Sequence, residues 1–217
     1  MIVGEIKPFD EIKESIKEYK KVLILGCGTC VSVCMAGGEK EVELLASQLR
    51  MAGKLDNTEI ETTEDTIQRQ CDREYIEPII DLAKEHDAVL SMACGAGVQL
   101  MAGILESVPV IPGINTNFIG VTEAEGAWSE RCRACGDCKL ANYGGICPVT
   151  MCAKGLLNGP CGGATLGKCE AGNDNDCAWE LIYNRLKQQQ RLDILQQAPN
   201  FYDNQLQLHP RRLAKES

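Results

Sequence analysis

The sequence predicts an α/β protein. A mostly parallel sheet with helices on its faces is expected over residues 1–125, and a cysteine-rich, loop-rich module with a C-terminal helix and tail over 126–217. Three observations carry this expectation. Short apolar runs alternate with helical periodicity through the first part. Apolar periodicity fades between Arg131 and Cys177, where Gly, Asn, Asp and Cys dominate. Of 13 cysteines, five lie in the first part and eight lie between Cys132 and Cys177.

Pro8 and Asp10 open the first helix, with Phe9, Ile12, Ile16 and Tyr19 on one face. Val22-Leu23-Ile24-Leu25 is an apolar run stopped by Gly26, the pattern of a buried strand. Residues 38–53 read as a helix with Val42, Leu45 and Leu49 on one side, and a weaker strand is expected near Glu59–Thr63. Asp72 can cap a helix reaching Lys84, striped by Ile76, Ile79, Ile80 and Ala83; Pro78 kinks it or delays its start. Ala88–Met92 reads as the third strand, followed by a glycine-punctuated helix. Val108–Ile111 reads as the fourth strand. Asn115, Thr116 and Asn117 follow it, either as hydrogen-bond donors to a bound group or as a turn. From Cys177 a helix resumes, with Trp179, Ile182, Leu186, Leu192 and Leu195 on or near one stripe, most simply core contacts. The last twenty residues, with Pro199 and Pro210, read as an extended tail.

Composition narrows the function. The net charge of −9 and the lack of a sustained Lys/Arg run make nucleic acid and anionic membrane poor partners. No apolar signal region or long apolar run occurs, so a cytoplasmic protein without membrane insertion is expected. In that reducing compartment an odd count of 13 cysteines does not make a disulfide framework. Metal binding is their expected purpose. The acid–base inventory is small: His86 and His209 are the two histidines, both expected to be solvated, and no convincing carboxylate pair appears. No catalytic residue is assigned.

Cys132, Cys135 and Cys138 form C-x2-C-x2-C. Short turns of this kind can place three thiolates on a cubane and aim backbone amides at the sulfurs. Cys147-Pro148 resembles the closing Cys-Pro of a ferredoxin run, displaced along the chain, so Cys147 belongs either with these three or with a second set. Cys152, Cys161, Cys169 and Cys177 remain, and eight cysteines make two sets of four. Zinc is the competing occupant, but zinc favours separate C-x2-C knuckles and the sequence holds one overlapping triple. NDND at 173–176 reads as a turn presenting Cys177.

In the first part, Cys27 and Cys30 follow the first strand, Cys71 the second and Cys94 the third. Loops at the carboxyl ends of parallel strands converge on one crevice, as in Rossmann or flavodoxin-like sheets, so these four can share one metal site. Cys34, one turn after Cys30, is the substitute ligand for Cys71. The alternative reading is a set of buried inert thiols beside a glycine loop. Neither G-x-G-x-x-G nor GK[ST] is present, which argues against a nucleotide.

GCGTCVSVCMAGGEKEVELLA, RQCD, SMACGAGVQ, ERCRACGDC, GGICPVTMCAKGLLNGPCGG and DCAWELIYNRL together resemble the methylenetetrahydrofolate reductase C-terminal family, over about residues 20–195. The resemblance implies a non-catalytic iron–sulfur subunit of an anaerobe's reductive acetyl-CoA pathway. Its implied partner is the flavoprotein MetF, a barrel carrying FMN or FAD that reduces methylene-tetrahydrofolate to methyl-tetrahydrofolate, with a further electron-donor protein upstream. It implies two [4Fe-4S] clusters, while the cysteine count accommodates three. The alternative function is a zinc-stabilised scaffold of a folate or methyl-transfer complex; a third reading is an enzyme with an open iron site in the first-part crevice.

Overall fold

The computed structural model describes residues 1–58, 60–172, 174–197 and 199–214. The chain forms two compact units, Met1–Trp128 and Ser129–Ser217. The first unit is α/β. In chain order it holds β1 (Ile2–Ile6), α1 (Phe9–Ile16), β2 (Lys21–Cys27), α2 (Cys30–Val33), α3 (Glu39–Leu55), β3 (Glu61–Ile67), α4 (Arg73–Ile76), α5 (Ile80–Lys84), β4 (Ala88–Met92), α6 (Gly95–Leu105), β5 (Val110–Pro112) and β6 (Ile114–Ala124). β7 (Ala127–Cys132) carries the chain out of it.

Four strands form a parallel sheet in the order β3-β2-β4-β5. Burial on both faces explains the uninterrupted apolar runs of its central strands. Val22 and Ile24 of β2 join one core with Ile12 and Ile16 of α1 and Val42, Leu45 and Leu49 of α3. Leu23 and Leu25 point the other way, to Ile76 and Ala83 and to Met101 and Leu105 of α6. The helix starts follow local chemistry. The Glu41 carboxylate accepts the Gly38 amide at 2.9 Å ahead of α3, and Asp72 accepts the Glu74 amide at 3.3 Å ahead of α4.

Several expectations are refined. The expected helix from Asp72 to Lys84 is broken: Pro78 sits in a 3-10 turn, Glu77–Ile79, between α4 and α5. The weak second strand is β3, shifted to Glu61–Ile67; Glu59 lies outside the described residues. β3 is an edge strand, which is why its sequence ETTEDTI is so polar. The fourth strand runs Val110–Pro112. A second sheet, β1-β6-β7, has no counterpart in the sequence reading; β1 pairs antiparallel with β6. Asn115, Thr116 and Asn117 belong to β6 and form no turn. His86 is buried, not solvated: its ring nitrogens lie 2.8 Å from the Leu82 carbonyl and 2.7 Å from Thr63 Oγ1.

The second unit is loop-rich. It holds α7 (Pro148–Met151) and α8 (Ala178–Gln188), with 3-10 turns at Leu140–Tyr143, Leu192–Gln196 and Asn204–Gln207. Its small core is Tyr143, Cys177, Trp179, Ile182 and Leu186, with the Tyr143 and Trp179 rings edge to face at 5.8 Å. The helix stripe therefore ends at Leu186: Leu192 packs from the following turn and Leu195 is exposed. The expected extended tail is instead tied down at its start. The Asn200 amide donates to Asn158 Oδ1 at 2.7 Å, and Lys139 Nζ donates to the Phe201 carbonyl at 3.1 Å. Of the NDND turn, Asn173 lies outside the described residues. No described helix is long and apolar enough to cross a membrane.

Candidate functional site

In the first unit, Cys27 ends β2, Cys30 begins α2, Cys71 directly precedes the cap of α4, and Cys94 caps α6. All four follow the carboxyl ends of the parallel strands β2, β3 and β4. Burial raises the Cys71 thiol above its ordinary value first, and the negative charges of Cys94, Cys27 and Cys30 raise it further. The topology sets Cys27, Cys30, Cys71 and Cys94 at the carboxyl end of one parallel sheet. Thr116, on β6, accepts the Gly95 amide at 2.9 Å.

Cys34 faces elsewhere. Its buried sulfur accepts the Gly4 amide at 3.5 Å and lies 3.4 Å from the Cys30 carbonyl and 3.6 Å from the Val31 carbonyl. It packs in the core beside Val3, Val31 and Ala36, and burial raises its thiol. A thiol so enclosed is a small core residue with local partners. Cys34→Ala is expected to cost about 1 kcal/mol of stability and to leave metal content unchanged. Metal analysis alongside a thermal melt checks both; lost metal would return Cys34 to the ligand set.

In the second unit, Cys132, Cys135, Cys138 and Cys147 line one cavity of about 310 Å³. Water occupies about 30 Å³, so the space exceeds what one ion requires. The loop carrying the first three turns through left-handed backbone at Ala134, φ 51°, and Gly136, φ 88°. That winding aims the Ala134 amide at Cys132 Sγ, 3.3 Å away. Gly163 repeats the contact, its amide donating to Cys161 Sγ at 3.4 Å. Tyr143, Phe201 and Tyr202 cover the cavity with aromatic surface. The Tyr202 hydroxyl donates to the Gly155 carbonyl. Its pKa is raised, by burial first and then by the charges of Cys152 and Cys147.

Residues 111–205 match the family described as methylene-tetrahydrofolate reductase C terminal. The resemblance read from the motifs holds over this segment, and it relates the chain to the methylene-tetrahydrofolate reductase enzyme system. No curated protein and no solved structure matches the chain. The matched segment contains all eight cysteines of the second unit and none of the five in the first.

The other four cysteines of this segment do not line that cavity. Cys152 and Cys177 pack at the core around Trp179 and Ile182. Cys161 is exposed, its thiol 3.5 Å from Glu170 Oε1; Glu170 follows Cys169 and is also paired with Lys154. That lysine, then Cys161, holds the Glu170 carboxyl below its ordinary value. A larger cavity of about 710 Å³ beside α8 contains no cysteine and one charged side chain, Glu180.

Among the described residues, no three Cys, His, Asp or Glu side chains stand close enough to hold a single metal ion. Zinc draws its thiolates to about 2.3 Å, a tighter gathering than these. A cubane binds each thiolate to a different iron, so its ligands stand farther apart. Donor type, donor number and the amide contacts to sulfur are of the kind an iron–sulfur cluster uses. The sequence did not single out Tyr202 or Glu170. The aromatic pair Phe201-Tyr202 in a polar tail was a usable signal for the first, while nothing local marked the second.

Proposed function

We propose that the chain is a MetV-like, non-catalytic subunit that relays electrons through [4Fe-4S] clusters to the flavin, FMN or FAD, of a MetF-type methylene-tetrahydrofolate reductase. The observation that carries this reading is the cavity lined by Cys132, Cys135, Cys138 and Cys147 inside the family segment. These four thiolates would hold one cluster. Cys27, Cys30, Cys71 and Cys94 would hold another, and Cys152, Cys161, Cys169 and Cys177 are the ligand candidates for a third. Bound clusters would supply one-electron transfer at potentials set by charge, sulfur hydrogen bonds and exposure.

The chain's own residues do the rest. The Ala134 and Gly163 amides stabilise negative charge on the sulfurs of Cys132 and Cys161. Tyr143, Phe201 and Tyr202 line the Cys132 cavity and give it aromatic surface beside the thiols. His86 is locked between Leu82 and Thr63, so both of its ring nitrogens are already partnered. The net charge of −9 favours a partner with a complementary basic patch. Exposed thiols such as Cys71, Cys132 and Cys138 suit the reducing cytoplasm.

The test is iron, acid-labile sulfide and zinc per chain after anaerobic purification, with EPR after dithionite reduction. About eight irons mean two cubanes and about twelve mean three. Zinc without iron would overturn the electron-transfer role.

A further inference from the structure

We propose that Gln70 is the positioning residue of the first-unit site: one buried amide fixes the three loops that carry Cys27, Cys71 and Cys94. The inference rests on the reading above that these cysteines, with Cys30, hold a cluster. Gln70 is fully buried and directly precedes Cys71. Its Nε2 donates to the Leu25 carbonyl at 2.8 Å and the Gly26 carbonyl at 3.0 Å, the two residues before Cys27. Its Oε1 accepts the Ser91 hydroxyl at 2.6 Å. Ser91 is itself fully buried, pairs with Leu25 in the sheet, and stands three residues before Cys94.

The backbone of the Gln70 loop serves the same end. At Gly97, in the first turns of α6, an added Cβ would lie 2.9 Å from Gln70 Cβ and 3.3 Å from the Gln70 carbonyl carbon. Glycine is what lets α6, and Cys94 at its cap, lie against Gln70. One side chain therefore ties the end of β2, the loop after β3 and the end of β4, and abuts α6. No other neutral residue of this length offers two donors and an acceptor in one plane. A carboxylate would face two carbonyls, and an apolar chain would strand them. Gln70 acts through the loops that carry the sulfurs.

The experiment uses the full chain, reconstituted anaerobically, as wild type, Gln70→Met, Ser91→Ala, Gly97→Ala, Cys71→Ser and the Gln70→Met/Cys71→Ser double variant. Gln70→Met keeps volume and removes the hydrogen bonds. It is expected to hold about four fewer irons per chain, or to release them about 10–100-fold faster to a chelator. The double variant should lose no more than Cys71→Ser alone. Ser91→Ala removes a single bond and should fold, with a smaller rise in release rate and an altered EPR signal from this cluster alone. Gly97→Ala should follow Gln70→Met. Full iron retention with unchanged EPR in folded Gln70→Met and Ser91→Ala would overturn the proposal. A second readout needs no metal: a monosubstituted arsenical that bridges neighbouring thiols should bind the apo wild type and bind Gln70→Met about 10–100-fold more weakly. If Cys71→Ser loses no iron, the cluster reading of this crevice fails. The arsenical then still decides on Gln70, equal binding by both forms refuting it and weaker binding by Gln70→Met upholding it.

Discussion

Replacing Cys135 with serine is expected to remove about four irons per chain and to bring reduction of the partner's flavin down to background. Flavin content of the complex should not change. Cys135 is the middle residue of the C-x2-C-x2-C loop and lines the cavity together with Cys132, Cys138 and Cys147. Its sulfur lies 3.6 Å from the Asp137 carbonyl, within a loop already wound through left-handed backbone on both sides of it. Serine keeps the size but replaces a soft, readily ionised thiolate with a hard alcohol, a poor ligand for an iron–sulfur core. Iron and sulfide analysis, EPR and stopped-flow flavin reduction with a common donor check the result. Full iron and full flavin reduction in the variant would refute the assignment of this cavity.

The fold was legible where the local pattern and the tertiary outcome agree. The runs at Val22–Leu25 and Ala88–Met92 are continuous because both faces of β2 and β4 are covered, and that burial is written residue by residue in the sequence. β3 was half visible. At the sheet edge it needs few apolar residues, so its backbone pairing leaves little trace in composition. β1 and β6 were invisible for another reason: their register joins residues more than a hundred positions apart, Ile2 to Ile119 among them. His86 was misplaced because a short polar stretch normally marks solvent. Here Thr63 and the Leu82 carbonyl satisfy both ring nitrogens, and burial costs little.

The candidate site shows the same division. Spacing alone marked Cys132, Cys135 and Cys138 as neighbours, since two intervening residues confine them to one turn. Topology marked Cys27, Cys30, Cys71 and Cys94, since loops at one end of a parallel sheet must meet. Neither argument reaches Cys34, which one helical turn places beside Cys30 in sequence and which the structure turns toward Gly4 and the core. Neither reaches Gln70, whose partners Leu25 and Ser91 are distant in the chain. Cys147 meets the first three only in three dimensions, where it lines the same cavity. The grouping of Cys152, Cys161, Cys169 and Cys177 is carried by no comparable cavity.

The second unit is expected to depend on few side chains. Leu186→Ala should destabilise it by about 2–5 kcal/mol, a large share of the about 5–15 kcal/mol that holds a typical domain together. Leu186 is fully buried, as is Ile182, and with Tyr143, Cys177 and Trp179 they form the buried apolar cluster of that unit among the described residues. A stretch so rich in loops has little other apolar area to lose, so the cavity left by Leu186 cannot be repacked from elsewhere. The first unit has two larger clusters of its own, which this leucine does not enter. Hydrogen exchange on the metal-free chain should then show α8 amides losing protection while those of β2 and β4 keep theirs. Restoring the metal should recover part of the loss, because a ligand that binds only the folded unit adds its binding free energy to folding. Equal loss of protection in β2, β4 and α8 would mean that the two units unfold as one, and the small core would no longer account for the stability of the cysteine loops.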